Sequence, residues 1–479
     1  MSGRLTLGRW LTDRERTTPD RVAIDYHDRE IDYRELGDAA TRFASSFAER
    51  GLHRGDRVAT LTGNTPEHVA IFFACARLGL ILAPLSWRLT APELAYQLED
   101  SDPALFLVEP EHADLAAATS WPFEPLAVPT TSNSLLLDSA QDDDPLLLVY
   151  TSGTTGKPKG ALLTHANCFW TNVGFDVATG ISGDDVVLQV LPQFHCGGWN
   201  VQALLSWWKG ARVVLERTFE PDRCLELIES KRVTTTMGVP ANYLFMSQSP
   251  RFATADLSSL RRAVVGGAAM PVALLEVWRE RGVEIVQGYG LTEAAPNVLC
   301  LPPEDAVRKA GYAGKPYPQV EVALSEENEL LVRGPNVFAG YWRNPEATEE
   351  TMVDGWLRTG DLAERDDEGY YRISGRLKEM YISGGENVYP AEVEDALLSL
   401  DGVADAAVLG VPDDRWGEVG VAFVVLEPGA TLTADDIVEA CRTRLARFKV
   451  PASVRFLDEL PRSGMNKVLK DELRAAVPA

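Results

Sequence analysis

An α/β chain of two domains is what the sequence predicts, and three observations carry that reading. Short apolar runs alternate with longer amphipathic segments over residues 31–85 and resume after residue 186, a pattern that predicts βαβ units and a largely parallel sheet. A break near residue 375 sets off a C-terminal stretch of mixed α and β pattern, about a hundred residues and enough for a small domain. The chain has 479 residues, 45% hydrophobic and 24% charged, an ordinary globular composition with length for two or more cores.

The elements follow in order. Residues 33–50 space their apolar positions as a helix, 56–61 read as a strand, 66–78 as a helix and 80–84 as a strand. Residues 130–145 turn polar and end in QDDDP, a connector. The alternation resumes with 186–191, 203–209, 212–215 and 222–231. In the small domain, 391–400 and 434–448 read as helices, and 405–411, 420–426 and 453–457 as strands. Pro451 marks a helix stop. The expected domains are residues 1–375 and 376–479.

The formal net charge is −24 and the pI about 4.7. Such an acidic surface argues against general nucleic-acid binding and makes any anion site a local construction. The six cysteines include no C-x-x-C pair, so neither a zinc site nor a disulfide framework is expected. The N-terminus lacks the apolar core of a signal peptide, and no apolar run approaches the ~20 residues of a membrane span. A cytoplasmic protein is the expectation, with its oligomeric state open and a homodimer one option.

The stretch TSGTTGKPKG, Thr151 to Gly160, follows an apolar run. Its glycines allow close backbone approach to an anion, its hydroxyls and N–H groups donate, and its lysines supply charge. It is not a P-loop. Gly153 and Gly156 are too close, and Lys157 precedes Pro158 rather than Ser or Thr. On composition alone such a loop is a solvated turn. Further stretches accompany it: AVVGGAAMP (263–271), QGYGLTE (287–293), RTGDL (358–362), GRLKEMYISGGENVYPAE (375–392) and PRSGMNK (461–467).

Together and in this order, these motifs closely resemble the adenylate-forming superfamily, over nearly the whole chain. The nearest likeness is to the branch of aryl- and fatty-acyl-CoA ligases. The resemblance implies a large N-terminal domain of layered β-sheets and helices, with a small mobile α+β C-terminal domain. It implies two half-reactions: a carboxylate and ATP give acyl-adenylate and pyrophosphate, then the acyl group passes to CoA. ATP, Mg²⁺ and CoA are the implied small molecules.

Residue roles follow from the resemblance. Thr151, Ser152, Gly153, Thr154, Thr155, Gly156 and Lys159 would hold the departing phosphates. Gly267, Ala268 and Ala269 would line the adenine slot, with Gln287, Gly288, Tyr289 and Gly290 beside it and Tyr289 stacked on the base. Thr292 would bond the α-phosphate, and Glu293, with Thr154, would hold Mg²⁺. Asp361 would accept the ribose hydroxyls with help from Arg376. Lys467 would bridge carboxylate and α-phosphate. Lys378 would be the hinge, and Ser383, Gly384 and Gly385 would border the pantetheine route to the site. Gly375 stands where many relatives have Asp, a departure that touches hinge geometry rather than chemistry.

LPQFHCGGWN (191–200) occupies the acyl-pocket position. Amino-acid-activating relatives carry an Asp there. This chain has Phe194–His195, and a buried ammonium without a partner is costly, so a free amino acid is not expected. His195 would gate the pocket. Gly197, Gly198, Trp199, Asn200, Gly238, Val239, Asn242, Gly266 and Ala294 complete the expected lining, which suits an aryl or medium-chain apolar acid. Two other readings stand beside the CoA ligase. One is a ligase passing its adenylate to an amine or a carrier-protein thiol; a dozen residues follow Lys467, so no fused carrier is expected. The other is a nucleotide-binding protein without turnover, which the intact Thr292, Glu293, Asp361 and Lys467 count against.

Overall fold

Local signals start and stop the first helices. Asp32 caps the helix Tyr33–Glu49 by accepting the Glu35 N–H at 2.7 Å. Thr65 caps Pro66–Leu78, which begins on its proline and ends at Gly79 with φ +69°. That second helix is buried along most of its length, as expected of a helix apolar all round. The structure, a computed structural model, describes residues 5–130, 139–151, 157–383, 386–413, 415–462 and 468–476.

The chain divides into two compact units. The first comprises residues up to Met270, Leu274–Val322 and Val332–Leu357; the second comprises Pro271–Ala273, Ala323–Leu331 and Arg358 onward.

Two large sheets build the first unit. One has nine strands, in the order Lys315–Pro316, Asn297–Cys300, Ile285–Gly290, Arg262–Val265, Thr235–Gly238, Val186–Gln189, Arg212–Leu215, Val22–Tyr26 and Arg29–Asp32. Its interior pairs are parallel, as the βαβ alternation predicts, and antiparallel strands close both edges. The other has seven strands, in the order Gly340–Tyr341, Lys159–Thr164, Pro145–Thr151, Ile81–Leu85, Arg57–Leu61, Leu105–Val108 and Glu124–Pro125. Pro145–Thr151 and Lys159–Thr164 form an antiparallel hairpin, and the Thr/Gly segment of the sequence falls between its arms.

In the second unit a five-stranded sheet centres on the long antiparallel pair Val403–Asp413 and Gly417–Leu426. Ser453–Phe456 adds in parallel on one side. The helices Pro390–Leu398 and Ala434–Arg444 cover one face through Val393, Leu397, Ile437 and Cys441. No described helix is long and apolar enough to cross a membrane.

Candidate active site

The hairpin presents Thr151 opposite Lys159 at its loop end. The loop residues Ser152 to Gly156 lie outside the described residues. The helix Ala91–Ser101 buttresses the hairpin: Tyr96 donates its hydroxyl to the Pro158 carbonyl at 3.1 Å, and Tyr150 donates to Asp100 Oδ2 at 2.7 Å. These bonds brace the end of the first arm and the residue just before the second.

The strand Ile285–Gly290 carries Gln287, Gly288, Tyr289 and Gly290, then turns at once into the short 3₁₀ segment Thr292–Ala294. Glycine is required at 290, since a Cβ there would lie 1.6 Å from the Pro296 carbonyl oxygen. The turn delivers Glu293 to the hairpin. Thr151 Oγ1 lies 3.4 Å from Glu293 Oε1, and the Tyr341 hydroxyl donates to the same oxygen at 2.8 Å. Lys159 Nζ sits 4.7 Å from the centre of the Tyr341 ring. Behind the turn, Asn336 Nδ2 donates to the carbonyls of Ala294 and Asn297, each at 3.0 Å. Asn297 in turn reaches Thr171 Oγ1 at 3.1 Å. These amide bonds tie the segment around Asn336 to the back of the turn.

The adenine-slot candidates stand at the end of Arg262–Val265. Gly267 has φ +82°, and Gly267, Ala268 and Ala269 are exposed. Gln287 braces this loop. Its Oε1 accepts the Met270 N–H at 3.1 Å and its Nε2 donates to the Tyr312 carbonyl at 3.1 Å. Gly266 is buried, with Met237 Cε 2.9 Å from where a Cβ would stand. Tyr289 is half-buried, paired with Leu299 across the sheet.

The loop bearing His195 is pinned by buried amides. Asn64 accepts the Gln193 N–H at 2.9 Å and donates to the Leu191 carbonyl at 3.0 Å; Gln189 donates to the carbonyls of Leu191 and Gly198 at 3.0 and 3.1 Å. His195 is half-buried, its ring against Phe194 at 4.6 Å. Next to it, Cys196 Sγ donates to Thr292 Oγ1 at 3.4 Å, so the His195 loop and the Thr292 turn meet. The two glycines differ. A Cβ at Gly197 would touch nothing closer than 3.8 Å, whereas one at Gly198 would fall 2.2 Å from the Pro192 carbonyl oxygen. Gly198 therefore permits a close backbone approach rather than opening space. Trp199 is fully buried, stacked on Phe72 at 4.7 Å, and Asn200 is buried against Asn172 and Cys168. Asn242 caps its own helix by accepting the Val239 N–H at 2.8 Å, beside Gly238, and Ala294 is buried.

In the second unit, Asp361 is buried and faces Arg376 across a hairpin, Oδ1 to Nε 3.1 Å. The RTGD turn before it is fastened by Glu329, a buried carboxylate. Glu329 accepts Arg358 Nε and Nη2 at 2.8 and 2.7 Å and the Gly360 N–H at 2.9 Å. Lys378 is exposed, and Ser383 is buried opposite Gly417. Lys467, Gly384 and Gly385 lie outside the described residues.

Sequence reasoning thus named Thr151, Lys159, Thr292 and Glu293, which the fold brings together with the His195 loop. It missed Tyr341, Glu329, Asn64 and Asn336. Only Glu329 left a trace in the pattern, as a lone acid opening an apolar strand, Glu329–Arg333.

Residues 11–342 match the AMP-binding enzyme family, and residues 392–467 match the AMP-binding enzyme C-terminal domain. The chain belongs to this family, and its fold is that of the adenylate-forming enzymes. It is 42% identical to a feruloyl-CoA synthase of an Amycolatopsis species, covering 98% of each chain. It is 40% identical to the indoleacetate–CoA ligase of Aromatoleum aromaticum, over 99% of this chain and 98% of the other. Among solved structures, ATP-bound MatB from Rhodopseudomonas palustris superposes with a TM-score of 0.92 at 33% identity, with 98% of each chain covered.

Proposed function

We propose that the protein is an AMP-forming acid–thiol ligase that joins an aryl or medium-chain apolar carboxylic acid to CoA at the expense of ATP. The observation that carries this reading is the 3.4 Å hydrogen bond between Cys196 and Thr292. It joins the His195 loop to the Thr292 turn, which supports a meeting of carboxylate and α-phosphate between them. The full-length likeness to ligases named for feruloyl-CoA and indoleacetate, both aromatic acids, supports the aryl half of the substrate class.

In this reading a carboxylate oxygen attacks the α-phosphorus, the bond to the bridging oxygen breaks and pyrophosphate leaves. The CoA sulfur, having lost its proton, then attacks the acyl carbon, and the carbon–oxygen bond to AMP breaks. Thr151, Lys159 and the loop between them take the departing phosphates, and Thr292 donates to the α-phosphate. Gly267 to Ala269 and Tyr289 receive the adenine; Asp361 and Arg376 receive the ribose. The oxygen-only donor set at Glu293 and Thr151 fits a hard dication carried on phosphates. Glu293 would hold Mg²⁺, with Thr154 the second candidate, and the ion would neutralise phosphate charge. Residues 376–479 turn about Lys378 between the half-reactions, in the cytoplasm.

The test is product identification. With ATP, Mg²⁺ and a panel of uncharged aryl and medium-chain acids, we expect acid-dependent exchange of labelled pyrophosphate into ATP, and acyl-CoA once CoA is added. No exchange with any acid, and no ATP turnover, would overturn the enzyme reading. Amides without thioester would replace CoA with an amine as the acceptor.

His195→Ala is expected to change the order of preferred acids and to slow adenylation by up to about 10²-fold, the scale for a misplaced reactant, while ATP still binds. The loop should survive the change, because Asn64, Gln189 and Trp199 hold it without the imidazole. Identical kinetics across the panel would return His195 to a packing role.

A further inference from the structure

Residues 338–342, Phe-Ala-Gly-Tyr-Trp, contain none of the motifs that mark the nucleotide site. The fold nevertheless zips them onto it. The Ala339 N–H donates to the Leu162 carbonyl at 3.0 Å and the Trp342 N–H to the Gly160 carbonyl at 2.7 Å. Gly340 and Tyr341 pair with Leu162 and Ala161 on the outgoing arm of the hairpin. Upstream, the Phe338 N–H donates to the backbone carbonyl of Glu293 at 2.8 Å. One short strand is therefore stapled both to the hairpin and to the Glu293 turn.

Tyr341 stands where those attachments meet. Its hydroxyl donates to Glu293 Oε1 at 2.8 Å, and its ring lies under Lys159 Nζ at 4.7 Å. The Phe338 ring meets it edge-on at 4.9 Å and fixes its plane, while Thr348 Oγ1 accepts the Tyr341 N–H at 2.9 Å. A carboxylate on a free side chain samples several rotamers, and an ammonium on four methylenes samples more. Here one aromatic residue restrains both.

We propose that Tyr341 is a positioning residue of the nucleotide–metal site: its hydroxyl fixes the direction of the Glu293 carboxylate and its ring carries the Lys159 ammonium. The inference rests on the reading of Glu293 and Lys159 as groups that meet Mg²⁺ and the ATP phosphates. The hydroxyl and the ring act separately, which makes the idea divisible. Tyr341→Phe keeps the ring, the strand pairing and the Phe338 contact but loses the bond to Glu293. Tyr341→Leu loses the platform for Lys159 as well.

The experiment measures calorimetric binding of an ATP analogue with a methylene between the α- and β-phosphates, without acid, across a series of Mg²⁺ concentrations. Tyr341→Phe should need roughly tenfold more Mg²⁺ for half-maximal nucleotide affinity, as expected for a lost hydrogen bond to a charged group. Its affinity without Mg²⁺ should match the wild type. Tyr341→Leu should bind the analogue a further roughly threefold more weakly even without Mg²⁺, through loss of the cation–π contact. In a Glu293→Gln background, Tyr341→Phe should add nothing to the Mg²⁺ requirement. Thermal unfolding of each ligand-free variant separates folding loss from site loss. A Tyr341→Phe titration that overlays the wild type, or equal losses with and without Mg²⁺, would overturn the assignment. If Tyr341→Phe does not fold, an unshifted Mg²⁺ requirement in Tyr341→Leu overturns it. A wild type that binds no nucleotide under any condition would defeat the ligase reading itself and this inference with it. Wild-type binding and acyl-CoA formation with an unchanged Tyr341→Phe would defeat this inference alone.

Discussion

Lys467→Ala is expected to lower acid-dependent pyrophosphate exchange by roughly 10²–10³-fold or more, the range for removing one preorganised donor at a developing charge, and still to convert synthetic acyl-adenylate and CoA to thioester. The two reactants of the first half-reaction are both anions, and their approach is repulsive at short range. An ammonium between them offsets that repulsion where it is greatest. Once the adenylate exists, the repulsion is gone. Lys467 itself lies outside the described residues, but the chain on either side is anchored within the second unit. Arg462 and Val468 bridge across the segment, and the Leu469 N–H donates to the Pro461 carbonyl at 2.8 Å. Arg462 pairs with Asp405. The next lysine cannot stand in. Lys470 is committed to Glu379 at 2.6 Å and Glu394 at 2.9 Å; burial works against its charge, but those two carboxylates raise its pKa overall. The reciprocal variant is Gly384→Trp. A bulky side chain on the proposed pantetheine route should spare exchange and abolish thioester formation. Thioester formation at the wild-type rate in Gly384→Trp would show that the route runs elsewhere. Exchange surviving in Lys467→Ala would remove the lysine from the first step.

Periodicity found several elements of the first unit, because their apolar faces and caps are local properties, and left others unassigned, among them the helices Gly8–Thr17, Ala91–Ser101 and His165–Thr179. The helices Pro66–Leu78 and Ala203–Lys209 and the strand Arg212–Leu215 fall where the pattern puts them. The end of the last long helix did not. The apolar spacing runs on to residue 448, but the helix stops at Arg444 and Leu445 is already extended. The following residues form a 3₁₀ turn that carries Lys449 to Glu392 at 2.6 Å, and a partner that distant leaves no local signal. The same reason separates the legible from the illegible parts of the site. Thr151, Lys159, Thr292 and Glu293 sit in glycine-rich motifs, visible because close backbone approach demands glycine. Asn64, Glu329, Asn336 and Tyr341 act through partners that only folding supplies. Asn64 bonds a residue 129 positions away, and Tyr341 one 48 positions away. Gly198 was legible as a glycine but not in its purpose, since the nearby Pro192 carbonyl appears only in three dimensions.

Stability of the first unit should fall as pH drops from about 7 to 5, driven by two buried histidines. His68 is 1% exposed and His165 fully buried. Burial lowers the pKa of His68 to about 3, with the Gln193 side chain and Glu109 pulling weakly the other way. Burial likewise lowers His165 to about 4 against the opposing charges of Asp144 and Asp142. The geometry agrees for His165, whose Nδ1 accepts the Leu7 N–H at 3.1 Å and cannot do so once protonated. His68 Nε2 lies 3.0 Å from Thr60 Oγ1, with Trp199 packed edge-on against the ring at 5.1 Å. The sign follows from proton counts. Between the unfolded value near 6.5 and these lower folded values, the unfolded chain binds more protons, so stability is complete above about 6.5 and is lost as pH falls. At pH 5 each histidine should cost about 2 kcal/mol and the pair about 4 kcal/mol. Carboxylates lowered by partners, such as Glu109 held by Arg217 despite its burial, add losses in the same direction only at more acidic pH. The measurement is the guanidinium midpoint read by tryptophan fluorescence at pH 7.5, 6 and 5; every tryptophan except Trp416 lies in the first unit. His68→Gln should flatten the slope by one histidine's share, even if it lowers stability at pH 7.5. A wild-type midpoint that stays level from pH 7.5 to 5, or a His68→Gln slope equal to the wild type, would mean that the buried imidazoles do not set the acid limit of this fold.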